Sequence, residues 1–130
     1  MRGEMHRVIL SLAANRYQKS NLAKARVCLG KLLTDVSYTS ELWTEPLSSS
    51  RRELYLNQLA EGTTSLTLDE LNKQLKDIEI SFGRTAQKRR LGIVPIDIDI
   101  LAFDGEHYHE RDWQRSYVTS LIGELHHGEL

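Results

Sequence analysis

Two acids stand out in this chain. Asp97 and Asp99 lie in the run Pro95-Ile96-Asp97-Ile98-Asp99-Ile100-Leu101. Residues two apart in a strand project from one face, so both carboxylates point the same way, with Cα atoms about 7 Å apart. Ile96, Ile98 and Ile100 take the opposite face. Burying them sets the register, because a one-residue slip would bury both carboxylates. Two carboxylates so spaced can share one or two hard cations, with water and phosphate oxygens filling the remaining positions. The same spacing also describes a solvated strand face with two ordinary acids. Just upstream, Arg84, Lys88, Arg89 and Arg90 form a basic stretch that leads into the acidic one. Cations and carboxylates this close suit a metal-bound polyphosphate. The plainer reading is a solvated loop paired with surface acids. No G-x-x-x-x-G-K-[ST] and no G-x-G-x-x-G occurs, so neither the P-loop nor the Rossmann route to nucleotides applies.

The elements that must hold these residues follow from periodicity. His6–Leu12 is short and apolar and reads as a strand, followed by a loop over Ala13–Tyr17. Ser20–Leu33 has Leu22, Ala25, Leu29 and Leu32 or Leu33 at helical spacing, with Ser20 or Asn21 as cap. Val36–Trp43 alternates like a strand, Thr44–Glu53 is a polar loop, and Leu54–Thr63 is a further strand. Thr67–Phe82 is the clearest helix. Thr67 and Glu70 match a capping box, Leu68, Leu71, Leu75, Ile78 and Phe82 form its apolar stripe, and Gly83 ends it. Arg84–Pro95 reads as a second loop and Pro95–Phe103 as a strand. Asp104-Gly105 is a turn signal, with a short return strand over Glu106–His109. Trp113, Tyr117, Leu121 and Leu125 predict a final helix over Asp112–Leu125.

The order β-α-β-β-α-β, then a short strand and a helix, predicts an α+β, ferredoxin-like domain. One antiparallel sheet carries both main helices on one face. The other face stays available for a ligand or an extra helix. Two loops of about 10–12 residues are long for a compact domain and hint at function. RNA-recognition domains share this element order, but they stack bases on aromatics of the central strands. Here those strands offer Tyr55 only at an edge, and Asp97 and Asp99 repel phosphate when no metal is present.

Composition narrows the setting. The chain has 130 residues, 40% hydrophobic and 27% charged, which predicts a single domain spanning 1–130. Seventeen basic and 18 acidic residues leave a formal charge of −1, so a whole-protein footprint for nucleic acid is absent. No apolar run approaches the roughly 18 residues of a membrane span. Met1–Arg7 carries charge without an apolar stretch behind it, unlike a secretory signal. The one cysteine, Cys28, permits no internal disulfide and no Cys-rich zinc site. Together these counts predict a reducing, cytoplasmic setting, without the overall charge that nucleic acid calls for and without a membrane span.

Other residues carry plainer expectations. Cys28 reads as a small buried hydrophobe. Trp43 and Trp113 read as packing residues, Trp43 with a pocket-shaping role as the alternative. His107 and His109 point together but lack a third zinc ligand. His126-His127 reads as a polar tail.

Several stretches, taken jointly, give the chain a family likeness. They are Asn15 after the first strand, Tyr55-Leu56-Asn57, Ile78-Glu79 through Gly83-Arg84, and Asp97-Ile98-Asp99-Ile100 followed by Phe103. In this order and spacing the chain resembles the 6-hydroxymethyl-7,8-dihydropterin pyrophosphokinases of folate biosynthesis, from about Val8 to Val118. The resemblance implies a ferredoxin-like fold. It also implies transfer of the β,γ-pyrophosphoryl group of ATP to the hydroxymethyl group of a reduced pterin, releasing AMP. Asp97 and Asp99 then match the carboxylates that hold two Mg2+ ions on the ATP phosphates. Asn57 matches the asparagine that hydrogen-bonds the pterin ring, and Tyr55 a neighbouring pocket residue. Tyr117 matches an aromatic that stacks on the pterin, and Pro46 a pocket-forming loop. Glu79 and Arg84 match a nucleotide-side acid and a basic residue near the phosphates. His109 and Arg115 match phosphate contacts, and Arg90 joins the ATP-binding set from the basic loop. Asp97, Asp99, Arg84 and Arg115 form the catalytic set.

Departures from the family pattern are specific. The usual G-S-N is Ala13-Ala14-Asn15, and W-G-P-R-T is Leu91-Gly92-Ile93-Val94-Pro95. An aromatic lid residue has become Leu91, and an arginine near the transferred phosphates has become Val94, for which Arg89 or Arg90 could compensate. The chain is also short for the family before His109 and beyond the last helix. The alternative is a divergent relative that binds nucleotide or pterin with weak or no transfer.

Overall fold

A computed structural model describes residues 4–46 and 53–125. Most of the Thr44–Glu53 loop, and His126-His127, fall outside those residues. Six strands form one sheet: β1 (His6–Ala14), β2 (Thr34–Tyr38), β3 (Leu42–Thr44), β4 (Tyr55–Thr64), β5 (Asp97–Phe103) and β6 (Glu106–His107). The order is β2-β4-β1-β5-β6, with β3 also on β4, and every pairing is antiparallel. β4 lies between β1 and β2, and β1 between β4 and β5, which is the interleaving of a ferredoxin-like α+β fold.

The two main helices, α1 (Gln18–Leu29) and α2 (Leu68–Ser81), cover one face. That side of the sheet presents Leu10, Leu12, Leu56, Ile96, Ile98 and Ile100, which pack with Leu22, Leu29, Leu71 and Leu75 in the larger core. The predicted capping box closes α2: Thr67 Oγ1 accepts from the Glu70 amide and Glu70 Oε1 from the Thr67 amide. α1 begins earlier than its periodicity predicts. Tyr17, with φ 46°, is its N-cap, and the buried Asn21 is not a cap. Its Nδ2 donates instead to the carbonyls of Arg16 and Pro95, at 2.9 and 2.8 Å. Cys28 is only half-buried.

Three further predictions are corrected. The strand expected over Val36–Trp43 is two, β2 and β3, parted at Thr39. Gln58 Nε2 donates to the Thr39 carbonyl at 2.7 Å and the Leu59 amide to Thr39 Oγ1 at 3.0 Å. The Ser40 amide and hydroxyl both donate to the Glu124 carboxylate. Side chains thus share the ladder there with a backbone bond from the Thr39 amide to the Leu59 carbonyl. The Arg84–Pro95 loop contains a short helix, α3 (Ala86–Arg90), capped by Thr85. The final helix is broken into α4 (Glu110–Trp113), α5 (Ser116–Leu121) and a 3-10 turn over Ile122–Glu124. Trp113 is pinned at the sheet by Nε1 donating to the carbonyls of Leu101 and Tyr108.

α5 lies against the opposite face of the sheet. Val118, Leu121 and Leu125 pack there with Leu59 and Leu101 in a second, smaller core. β5 carries a bulge: Leu10 pairs with Ile100 and Ile9 with Ala102, leaving Leu101 as an extra residue, so Leu101 stays in step with Asp97 and Asp99 toward the smaller core while Phe103 turns to the larger one. The expected turn is real, with Asp104 at φ 50° and Gly105 at φ 87°, the two left-handed positions of a tight hairpin.

Candidate active site

Where α5 does not cover the sheet, a cavity of about 1100 Å³ opens, lined among others by Ser11, Ala13, Asn57, Asp97 and Asp99. Its floor follows from register. Ala13 pairs with Asn57 on one side and Asp97 on the other, and Ser11 with Leu59 and Asp99. Paired residues share a face, so Asn57, Ala13 and Asp97 form one transverse row. Neighbouring strands lie about 4.8 Å apart, so the ends of the row are about 10 Å from each other.

Asn57 is 3% exposed. Its Nδ2 donates to the Leu42 carbonyl at 3.0 Å and to Thr44 Oγ1 at 2.8 Å. That leaves Oδ1 as an acceptor without a partner among the described residues. Tyr55, Pro46, Thr44 and Trp43 line the same side of the cavity. Tyr117 also lines it, with its hydroxyl 3.3 Å from Ser11 Oγ. Burial raises the Tyr117 phenol above its ordinary value, and the Ser11 hydrogen bond opposes this.

The acids belong to an alternating chain of charges. Arg84 Nη1 donates to Asp97 Oδ1 at 2.8 Å and to Glu79 Oε1 at 2.9 Å. Lys76 Nζ lies 3.2 Å from Glu79 Oε2 and 3.5 Å from Asp99 Oδ1. Glu79, 3% exposed, also accepts the Ile98 amide at 2.7 Å. β6 pairs with β5 only at Ala102 and Phe103, so β5 has an open edge beside its acids. Glu79 and Lys76 from α2 close that edge through Ile98 N and O. Burial pushes the Asp99 carboxyl above its ordinary value, and neighbouring Asp97 adds to this. Glu79 is raised first by burial, against the Ile98 hydrogen bond.

Oxygens of Glu79, Asp97 and Asp99 come within 4.8 Å of one another, as do ligand atoms of Asp99, His109 and Asp112. An all-carboxylate set of this spacing suits a hard divalent cation.

Arg89, Arg90 and Leu91 form a continuous stretch of the cavity wall, and Arg115 lines it too. Arg89 and Arg90 have no ion-pair partner among the described residues, whereas Arg115 is held by Asp112 at 2.7 Å. The segment below this wall is fastened by Asn15, itself 3% exposed. Its side chain donates to the Gly92 carbonyl and accepts the Val94 amide, and its own amide donates to the Val94 carbonyl.

Of the residues singled out from sequence, Asp97, Asp99, Asn57, Tyr55, Tyr117, Pro46, Arg90 and Arg115 meet in the cavity. Glu79 and Arg84 lie behind it, bonded to each other. His109 opens onto a separate small pocket beside Leu68, Asp69 and Tyr108, with Nε2 3.9 Å from Asp99. His107 stacks on Trp113 at 3.9 Å. Sequence reasoning missed Ser11 and Ala13, although small residues alternating with Leu10 and Leu12 mark a strand that leaves room on one face. It also missed Lys76 and Asp112, which no local pattern distinguishes.

A family model described as 7,8-dihydro-6-hydroxymethylpterin-pyrophosphokinase (HPPK) matches residues 9–127. A folate synthesis bifunctional protein of Arabidopsis thaliana is 33% identical over 129 residues, covering 91% of this chain and 26% of that protein. A protein of the same name from Chlamydia trachomatis is 33% identical over 81 residues, covering 55% of this chain and 18% of that protein. The chain therefore spans about a quarter or less of the curated relatives it matches. The solved B. subtilis GlnK–ATP complex aligns at a TM-score of 0.45 and 16% identity, covering 85% of this chain and 91% of that one, too loose a likeness to bear on function.

Proposed function

Since the chain belongs to the 7,8-dihydro-6-hydroxymethylpterin-pyrophosphokinase family, we propose that it moves the β,γ-pyrophosphoryl group of ATP onto the hydroxymethyl oxygen of 6-hydroxymethyl-7,8-dihydropterin, in folate biosynthesis. The acceptor oxygen bonds to the β-phosphorus and gives up its proton. The bond from the β-phosphorus to the α,β-bridging oxygen breaks, and AMP departs with that oxygen. The observation that carries this reading is the row Asn57–Ala13–Asp97. It sets an amide acceptor about 10 Å from an acid, a span that accommodates a bicyclic pterin and its hydroxymethyl arm.

Asn57 Oδ1 accepts from the pterin's amino and ring N–H groups, and Tyr55, Tyr117 and Pro46 hold its faces. Arg90 and Arg115 neutralise phosphate charge, Arg89 filling the role that Val94 leaves open, while Arg84 acts from behind the cavity by holding Asp97. The family uses ATP with Mg2+. Asp97 and Asp99 are the ligands we assign to two such ions, with Glu79 and His109 beside them. Bound there, Mg2+ supplies charge neutralisation on the triphosphate and orientation of its oxygens. The chain's own residues align the acceptor with the phosphate, which accounts for most of catalysis in phosphoryl transfer.

We read the protein as a monomer acting in the cytoplasm on small molecules, without nucleic acid or membrane. Among the described residues, no helix is long and apolar enough to cross a membrane, and the exposed sheet face carries acids rather than stacked aromatics. The test is Mg2+-dependent AMP release from ATP with the dihydropterin alcohol as acceptor. Acceptor-dependent AMP is expected; its absence from folded protein at saturating ATP overturns the proposal. Val94 and Leu91 motivate the second reading, a binding relative with little transfer. Tight binding of an ATP analogue by calorimetry, without turnover, would favour it.

A further inference from the structure

Lys76 is the residue whose place the proposed chemistry does not yet explain. Its ammonium has three oxygens around it: Glu79 Oε2 at 3.2 Å, Asp99 Oδ1 at 3.5 Å and the Ile98 carbonyl at 3.4 Å. That is a ring of hard oxygen donors closing on one positive charge, which is also what a divalent cation seeks. We propose that Lys76 is a tethered counter-ion of Asp99 that competes with divalent cations there, so that this chain binds the metal less tightly in the absence of nucleotide than its carboxylates alone would. The inference rests on reading Asp97 and Asp99 as cation ligands.

The argument is one of charge and reach. Glu79, Asp97 and Asp99 face Arg84 and Lys76, so three carboxylates against two cations leave a single net negative charge. A cluster so nearly neutral attracts a dication weakly. The two cations are not equivalent. Arg84 forms close charge-assisted bonds to both Asp97 and Glu79 and is 22% exposed. Lys76 is 41% exposed, on a flexible stem, and sits at longer range from Asp99. A compact ammonium on such a stem can swing into solvent without breaking the Arg84–Glu79 pair. Lys76 is therefore the cation that yields when a metal arrives with the nucleotide. A purely structural lysine, closing the edge of β5 through Ile98, would stay in place when a metal binds and would be no more open to reagents than before.

The test uses Mn2+ as the probe, with free Mn2+ followed by electron paramagnetic resonance and no nucleotide present. Lys76→Gln removes the charge and keeps a hydrogen-bonding group, and we expect it to bind Mn2+ about tenfold tighter than the natural chain. Lys76→Arg should stay near the natural affinity, and adding Asp99→Asn to Lys76→Gln should erase the gain. In the unsubstituted protein, Mn2+ should raise acetylation of Lys76 by acetic anhydride several-fold, read by peptide mass. This arm needs no variant to fold. Equal Mn2+ affinity in Lys76→Gln, or Lys76 labelling indifferent to Mn2+, overturns the role of Lys76. If Asp97→Asn and Asp99→Asn also leave Mn2+ binding unchanged, the acids hold no cation, and the metal centre of the proposed function falls with it. If those two weaken binding while Lys76→Gln does not strengthen it, only the role of Lys76 is lost.

Discussion

Asn57 and Asp97 stand on either side of Ala13 in one row across the sheet, each paired directly with it. The distance between the two ends of this row is thus set by backbone hydrogen bonding of three adjacent strands. No loop intervenes, so their spacing is as rigid as the sheet itself.

Ala13 is the small floor between them, and enlarging it should obstruct the path from one end to the other. Ala13→Val suits a strand, so thermal stability should hold. Acceptor kcat/KM should fall by about ten- to a hundredfold, since displacement of about 1 Å can cost that much. Steady-state kinetics beside a melting curve checks this, and unchanged kcat/KM would show that the substrate does not cross Ala13.

Arg89 and Arg90 line the cavity without ion-pair partners among the described residues. Removing a cation that stabilises transferring phosphates should lower turnover. Arg89→Ala and Arg90→Ala are each expected to lose about ten- to a hundredfold in kcat/KM for ATP, with stability nearly unchanged. Full activity in both would leave the place of Val94 unfilled.

Asn15 fastens the segment that follows those arginines, at Gly92 and Val94. Asn15→Ala leaves the Gly92 carbonyl and Val94 amide without their partner, at a cost of about 2 kcal/mol. Faster hydrogen exchange at the Val94 amide should accompany the drop, because that amide donates to Asn15 Oδ1. Exchange at Val94 as slow as in the natural chain would contradict the clamp.

Asp104 offers a pH test away from the site. The His6 hydrogen bond holds its carboxyl below the ordinary value of 3.8, aided by the Arg7 amide. A depressed folded value means stabilisation that is complete above about 3.8 and fades as pH falls through the lower folded value. The pair is exposed, so the effect is a fraction of a kcal/mol. Urea titrations of Asp104→Asn against the natural chain should differ at pH 6 and converge near pH 2; a gap that widens in acid would reverse the assignment.

Much of the site was legible because β5 states its two faces plainly, isoleucine against aspartate, and because Thr67 and Glu70 mark where α2 begins. Other parts depend on residues far apart in the chain. The break at Thr39 comes from Gln58 and Glu124, which no local window includes. Trp113, Tyr117, Leu121 and Leu125 pack near the second core whether or not one helix joins them, so their spacing could not reveal the interruption at Gln114. Lys76 reads as an ordinary exposed helical lysine until α2 is laid beside the open edge of β5. Family likeness makes Glu79 a nucleotide-side acid, whereas its burial between Arg84, Lys76 and Ile98 shows that it organises the charges around it.

The extra residue at Leu101 gives β5 a reserve of length. Before it, the pleat aims two acids; after it, the pleat seats Phe103 in the larger core. Removing Leu101 would let Ala102 succeed it and leave both halves in phase, whereas removing Ile98 would turn Asp97 toward that core. A deletion at the bulge therefore costs the packing of Leu101 in the smaller core but keeps the acids on target, whereas one a few residues earlier swings them away, so the bulge is where the strand's length and its chemistry are uncoupled.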